Sequence, residues 1–437
     1  MPGWEKWLVV AQCTGKVWGV IIVLIIDLLG VFESPLGQGP GKMNPPAQKK
    51  TVVYVDDIPT PYRVGVHQRV RERGLFEYHV LFCAAEEPGR QWNLDLQESD
   101  ELFTVLEGKQ YRPAGQLNPF SFKFNFSVLA ALKRRSPDVV ILSGYAHPTM
   151  WLAAYWCLRH RIRFGITTES SSQTTSRNPV LAVARQLVVR LLFSKIHFGL
   201  AVSQRAGHDL RTLVHNDQLP VFPFPNTPDV DQIERILETN ESVIAARSGF
   251  NVAVSADDVV IVFVGRLIEA KRPMDLLSAV AGLPVEFQQK LKIFFLGEGP
   301  LKPLLAQKAQ GLTAAVNFCG WIADYEQNIT LIASSDLMVL PSQHEPWGAV
   351  VNEGMAAGTC VIASDHVGAA QDMITHSENG FVFPMGDVDA LRAIVQNAMT
   401  EADLPKISAA ARLTAKRYGS DLAIESVCRV VGDVARA

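Results

Sequence analysis

Cysteine is scarce and scattered: Cys13, Cys83, Cys157, Cys319, Cys360 and Cys428 make six in 437 residues, with no Cys-x-x-Cys pair among them. Such spacing supplies neither a disulfide framework nor a zinc cage, and it fits a reducing, cytosolic compartment. Charged residues make up 19% against 48% hydrophobic, which excludes a disordered chain and indicates a globular protein with well-buried sheets. A basic stripe is missing too, and that disfavours a nucleic-acid partner.

The apolar run at the start falls short of spanning length. Val17 to Phe32 counts 16 residues, is flanked by Lys16 and Glu33, and is interrupted by Asp27. A spanning helix needs about 20 predominantly apolar residues, and an acid is costly at the bilayer centre. No A-x-A-like cleavage site is evident after it. The run reads as a membrane-associating segment, peripheral to or anchored at the inner face of a membrane. Gly37 to Lys50, with several Gly and Pro, reads as a flexible linker.

A chain of 437 residues exceeds one ordinary core, so two domains are expected. The net charge of −3 hides an asymmetry: residues 51–224 carry 20 Lys and Arg against 15 Asp and Glu, whereas residues 225–437 carry 16 against 26. The basic half suits an anionic membrane surface or an anionic acceptor. Buried-strand patterns at Thr51–Asp57, Glu77–Cys83, Asp138–Ser143, Arg163–Thr168 and His197–Ser203 are interleaved with helical patterns. The helical stretches are Phe126–Arg135, Pro148–His160, Pro179–Phe193 and Gln204–Val214. This alternation predicts an α/β, doubly wound parallel sheet. The polar and aromatic excursion Glu86–Asn125 is assigned to an acceptor pocket. Pro and Asn crowd Val221–Asp229, marking a domain junction, after which a helix is expected over about Val230–Arg247. The expected divisions are therefore 1–50, 51–224, 225–420 and a terminal helix in 421–437.

Ligands of open parallel sheets bind beyond the carboxyl ends of the strands, so the loops there carry the chemistry. Past the strand Asp258–Val264 comes Gly265-Arg266-Leu267-Ile268-Glu269-Ala270-Lys271, where two cations can hold a diphosphate. Past Leu291–Leu296 comes the tight turn Gly297-Glu298-Gly299-Pro300. Past Asp336–Leu340 comes PSQHEPWGAVVNEGMAAG, Pro341 to Gly358, a loop and helix leading to a further strand. Pro346 is expected in the first turn of that helix and Gly358 just beyond its end. The helix would start beside Glu345, carry Glu353 in its second turn, and offer the amides of Gly348, Ala349 and Val350 to an anion. In the first half, polar groups follow three strands, at Ser143–His147, Thr168–Ser172 and Ser203–Arg205, with His147 and Glu169 as candidates near an acceptor. Arg63, in Pro-Thr-Pro-Tyr-Arg after the first strand, either reaches an anionic group or pairs with Asp56 or Asp57.

Glu345 and Glu353, separated by seven residues, together with Gly-Arg-Leu-x-x-x-Lys, resemble the motifs of retaining GT-B glycosyltransferases of the family 4 type, the glycosyl transferases group 1. The resemblance implies two Rossmann-like domains facing across a cleft, with the terminal helix crossing back to the first. It implies a nucleotide-sugar donor, a glycan or lipid-linked acceptor, neither metal nor other cofactor, and a place in surface polysaccharide synthesis. On that likeness Arg266 and Lys271 hold the donor diphosphate, Glu345 contacts sugar hydroxyls and Glu353 the ribose. Gly297 and Gly299 approach the nucleotide, Trp321 and Ile322 hold its base, and the Gly348, Ala349 and Val350 amides face the phosphate. A histidine commonly stands in relatives where Glu169 stands here, so the identity of any catalytic base stays open, with Glu169 and His147 as candidates. Two other readings share the architecture: a nucleotide-sugar epimerase, and a non-catalytic nucleotide-sugar-binding subunit.

Overall fold

The computed structural model describes residues 49–86, 102–111, 121–169, 187–250, 253–255 and 257–434. The apolar run Val17–Phe32, the linker before residue 49, Ser170–Ser172 and residues 179–186 of the expected helix Pro179–Phe193 lie outside the described residues. Among the described residues no helix is long and apolar enough to cross a membrane. The chain divides into two compact units. One takes in the residues up to Ala201, Arg205–Phe224 and those from Ile424 onward; the other takes in Val202–Gln204 and Pro225–Ala423.

The first unit is built on seven strands in the order β3-β2-β1-β6-β7-β8-β9. They are β1 (Thr51–Asp56), β2 (Glu77–Phe82), β3 (Phe103–Val105), β6 (Val139–Ser143), β7 (Arg163–Thr168), β8 (Phe198–Ala201) and β9 (Val221–Pro223), all paired in parallel. Val52 to Val55 and Val139 to Leu142 are buried on both faces, as a parallel sheet covered by helices requires. The excursion Glu86–Asn125 contributes β3 to this sheet, and its β4 (Lys109–Tyr111) and β5 (Phe122–Phe124) pair antiparallel. Helices Pro61–Glu72, Ser127–Arg135, Pro148–His160 and Gln204–Val214 supply the cover.

The second unit has six parallel strands in the order β12-β11-β10-β13-β14-β15. These are β10 (Val259–Val264), β11 (Leu291–Leu296), β12 (Ala315–Gly320), β13 (Leu337–Leu340), β14 (Cys360–Ser364) and β15 (Phe381–Phe383). The expected helix over Val230–Arg247 is two: Val230–Thr239, capped by the Asp229 side chain on the Gln232 N–H, and Glu241–Ala246. They part at Asn240, whose side-chain amide donates to the Ile236 carbonyl at 3.0 Å and to Glu326 at 2.9 Å. Helix Ala349–Ala357 lies hard against the sheet: a Cβ on Gly354 would stand 2.2 Å from Met338 Cε, so any larger residue there has to push the end of the methionine side chain aside. Gly358 ends it at φ +81, the left-handed conformation a glycine tolerates.

Candidate active site

At the carboxyl edge of the second sheet the loops after β10, β11, β12 and β13 meet. The turn after β11 is fitted against the loop after β10: Gly265 N–H donates to Leu296 O at 3.0 Å and Leu267 N–H to Glu298 O at 2.9 Å. A Cβ on Gly297, where φ is +155, would stand 2.0 Å from Gly265 O, and one on Gly299 would stand 2.4 Å from Leu267 O. These glycines therefore let one loop close on another, fixing the backbone that carries Arg266. Gly297 also bridges to Gly320, so Trp321 and Ile322 follow immediately beside this junction. Trp321 is 73% exposed, which removes it from the core and leaves its ring face open.

The loop after β13 is tied to the same place. Gln343 N–H donates to Ala270 O at 2.9 Å, and the His366 ring bonds Gln343 O at 2.9 Å. Glu345 donates its N–H to His366 O at 3.1 Å and accepts from Gly368 N–H at 3.0 Å, so this segment is extended and pairs with the chain at Val367. That pairing corrects the expected helix start: the helix begins at Ala349, not beside Glu345, and Pro346 lies ahead of it. Gly348 makes the turn at φ +95. Trp347 is buried and donates from Nε1 to Asn352 Oδ1 at 2.9 Å, anchoring the turn to the helix.

These ties bring the charged groups together. Lys271 Nζ forms an ion pair with Glu345 Oε2, with about a fifth of each side chain exposed (22% and 20%). Burial pushes the Lys271 ammonium down to about 8, and the Arg266 guanidinium adds to that push. Glu345 acts in the opposite sense, since an adjacent carboxylate favours the charged ammonium. A Cβ on Gly348 would stand 3.1 Å from Glu345 Cγ, so the tip of helix Ala349–Ala357 adjoins the same carboxylate. No side chain caps this helix, and its first backbone bond is from Val351 N–H to Gly348 O at 2.9 Å. The amides of Gly348, Ala349 and Val350 thus precede the helical ladder, where an anion is favoured. Glu353 lies in the second turn and is 5% exposed, which excludes a surface ion pair for it.

The first unit carries a second group of charges. His147 stands at the N-cap of helix Pro148–His160 and bonds Asp57 Oδ1 at 3.0 Å; Lys123 Nζ meets the same oxygen at 2.6 Å. Burial alone would raise the Asp57 carboxyl, but the His147 bond and charge, followed by Lys123, hold it down at about 2. Arg63 pairs with neither Asp56 nor Asp57: its guanidinium lies 3.9 Å above the Phe224 ring and 4.0 Å from Glu169 Oε1. Asp56 instead meets His67 at 3.4 Å. Sequence reasoning names Asp57 only as a possible partner of Arg63 and does not single out Lys123, although a lone lysine between Phe122 and Phe124 is a visible signal.

Residues 248–414 match the family described as "Glycosyl transferases group 1". Among curated proteins the chain is similar to the lipopolysaccharide core biosynthesis glycosyltransferase LpsE of Rhizobium meliloti (strain 1021), 30% identical over 151 residues, 34% of this chain and 42% of the relative. It is also similar to the putative glycosyltransferase EpsD of Bacillus subtilis (strain 168), 29% identical over 177 residues, 40% of this chain and 45% of the relative. The chain thus matches under half the length of these relatives. Among solved structures, Anabaena HepE in complex with UDP superposes with a TM-score of 0.64 at 17% identity, covering 88% of this chain and 100% of that one. The lipopolysaccharide outer core galactosyltransferase WaaB superposes with a TM-score of 0.62 at 14% identity, covering 88% and 99%. The segment that holds Arg266, Lys271, Glu345 and Glu353 thus matches the glycosyl transferases group 1 family, and the two Rossmann-like parallel-sheet units have the GT-B fold.

Proposed function

We propose that this chain is a retaining glycosyltransferase of the family 4 type, moving a sugar from a nucleotide-diphosphate donor to a glycan or lipid-linked acceptor in surface polysaccharide synthesis. The observation that carries this reading is the joining of Arg266, Lys271, Glu345 and the tip of helix Ala349–Ala357 at one sheet edge. As the sugar departs with oxocarbenium character, negative charge grows on the leaving diphosphate. Two cations and three helix amides already fixed in place stabilise that charge without reorganising, the task a divalent metal performs in other enzymes. On this reading Glu345 contacts sugar hydroxyls and Glu353 the ribose, and the exposed ring of Trp321 suits stacking by the base. The complexes of HepE with UDP and with UDP-glucose support a nucleotide-sugar donor, and the relatives named for lipopolysaccharide synthesis support the setting. On this reading the enzyme works at the inner face of a membrane.

The test is incubation with UDP-, GDP- and ADP-linked sugars, with and without lipid-linked acceptors, following released nucleotide and the anomeric configuration of the product. Acceptor-dependent release with retention is expected. Conversion of the donor sugar without any acceptor would favour the epimerase reading, and nucleotide binding without turnover the binding-subunit reading.

A further inference from the structure

The first unit holds a fully buried lysine whose placement the donor chemistry leaves unexplained. Lys123 is 0% exposed, and a buried ammonium is tolerated only when paired. Its strand is pinned: the Thr149 hydroxyl lies 2.9 Å from Lys123 O and 2.8 Å from Asn125 Oδ1, sharing its one proton between these two acceptors, and Asn125 N–H donates to Thr149 Oγ1 at 3.0 Å. Asn125 Nδ2 donates in addition to Cys83 O at 2.9 Å and Leu106 O at 3.1 Å. The partner of Lys123, Asp57, lies just past β1, and His147 lies four residues past β6, the neighbouring strand. Both press on one oxygen of the carboxylate, Oδ1, which is itself buried. Yet the Asp57 side chain remains 30% exposed, so its accessible part is the Oδ2 side.

We propose that Asp57 is a substrate-binding carboxylate that accepts a hydrogen bond on Oδ2 from a hydroxyl of the acceptor sugar, with Lys123 and His147 as positioning residues. This rests on the transferase reading above. The choice of ligand follows from charge: Lys123 already balances the carboxylate, so the remaining oxygen suits a neutral donor such as a sugar hydroxyl better than a second cation. Glu169 is the less fitted group, being 61% exposed and turned toward Arg63. A carboxylate held ionised by two partners is a poor proton acceptor near neutral pH, so Asp57 orients the hydroxyl and the proton leaves elsewhere.

The test uses the full chain with Asp57→Asn and Lys123→Met. UDP and GDP binding is measured by calorimetry, and transfer is measured onto the octyl glycosides of glucose, galactose, mannose and N-acetylglucosamine, whose binding is followed by saturation-transfer NMR. Asp57→Asn should raise the acceptor KM tenfold or more with nucleotide affinity within twofold of wild type. Lys123→Met should move the acid limb of kcat/KM for acceptor upward by a pH unit or more, which a merely structural role would not do. An unchanged acceptor KM in Asp57→Asn overturns the assignment, as does a wild-type chain that turns over donor but binds none of the glycosides. If Lys123→Met fails to fold, Asp57→Asn decides alone. Absence of nucleotide binding in the wild type refutes the transferase reading instead, a result distinct from either.

Discussion

Replacing Lys271 with alanine tests the donor site most directly. The ammonium is paired with Glu345 and lies near Arg266, with 22% of the side chain exposed. Two unit charges about 4 Å apart at an effective dielectric of about 20 interact by about 4 kcal/mol. Partial exposure trims this, and a charge-assisted hydrogen bond is worth about 1.5–3 kcal/mol, so about 2–3 kcal/mol of transition-state stabilisation should go. That corresponds to a fall of about 30- to 150-fold in kcat/KM for the donor. The alanine also strips Glu345 of its partner and, on the proposed function, leaves an anion facing the donor diphosphate. Adding Glu345→Gln to Lys271→Ala should therefore recover part of the lost nucleotide affinity, a coupling that a double-mutant cycle reads directly. The assay is continuous detection of released nucleotide under varied donor, with kcat and KM resolved separately and nucleotide Kd by calorimetry. A Lys271→Ala variant within about threefold of wild type in both kcat/KM and Kd would refute the charge argument, since a threefold change is only about 0.7 kcal/mol.

Titration of the same lysine gives a pH signature. Its ammonium is held down to about 8 from 10.5, so nucleotide affinity should weaken as pH rises through about 8, and Arg266→Ala should move that midpoint upward. Between those two values the unfolded chain binds more protons than the folded one, so this group's contribution to stability increases with pH there. Calorimetric Kd values from pH 6.5 to 9.5 check the first point; a flat profile contradicts it. Gly297→Ala, with a Cβ 2.0 Å from Gly265 O, should destabilise the second unit by about 2–4 kcal/mol, visible as a lowered Tm; an unchanged Tm would mean the two loops part freely. Trp321→Ala should leave Tm within about a degree while weakening nucleotide binding by about 5- to 150-fold, the worth of one stacked base. Unaltered affinity would place the base elsewhere.

Much of the architecture was legible in the chain because buried parallel strands are written as short apolar runs, and β1, β6, β10 and β13 each declare themselves locally. Gly358 likewise marked the end of its helix, since only a residue without a Cβ sits easily at φ +81. The start of that helix lies three residues beyond Pro346, its expected first turn. Pro346 satisfies the local rule for a first turn, but Glu345 is claimed by pairing at Val367, a contact no local rule contains. Gly297 and Gly299 were recognisable as a tight turn, yet what their missing side chains make room for, the backbone of Gly265 and Leu267, appears only once β10 and β11 lie side by side.

Order along the chain thus determined which segments become strands and helices and which loops carry charge, because those properties depend on neighbours a few residues away. Tertiary structure decided which charges meet. Lys271 finds Glu345, and Lys123 and His147 find Asp57, across separations that only strand order closes; burial then lowers the protonation range of Lys271, while His147 and Lys123 outweigh burial at Asp57 and hold its carboxyl down, which an isolated motif could not reveal.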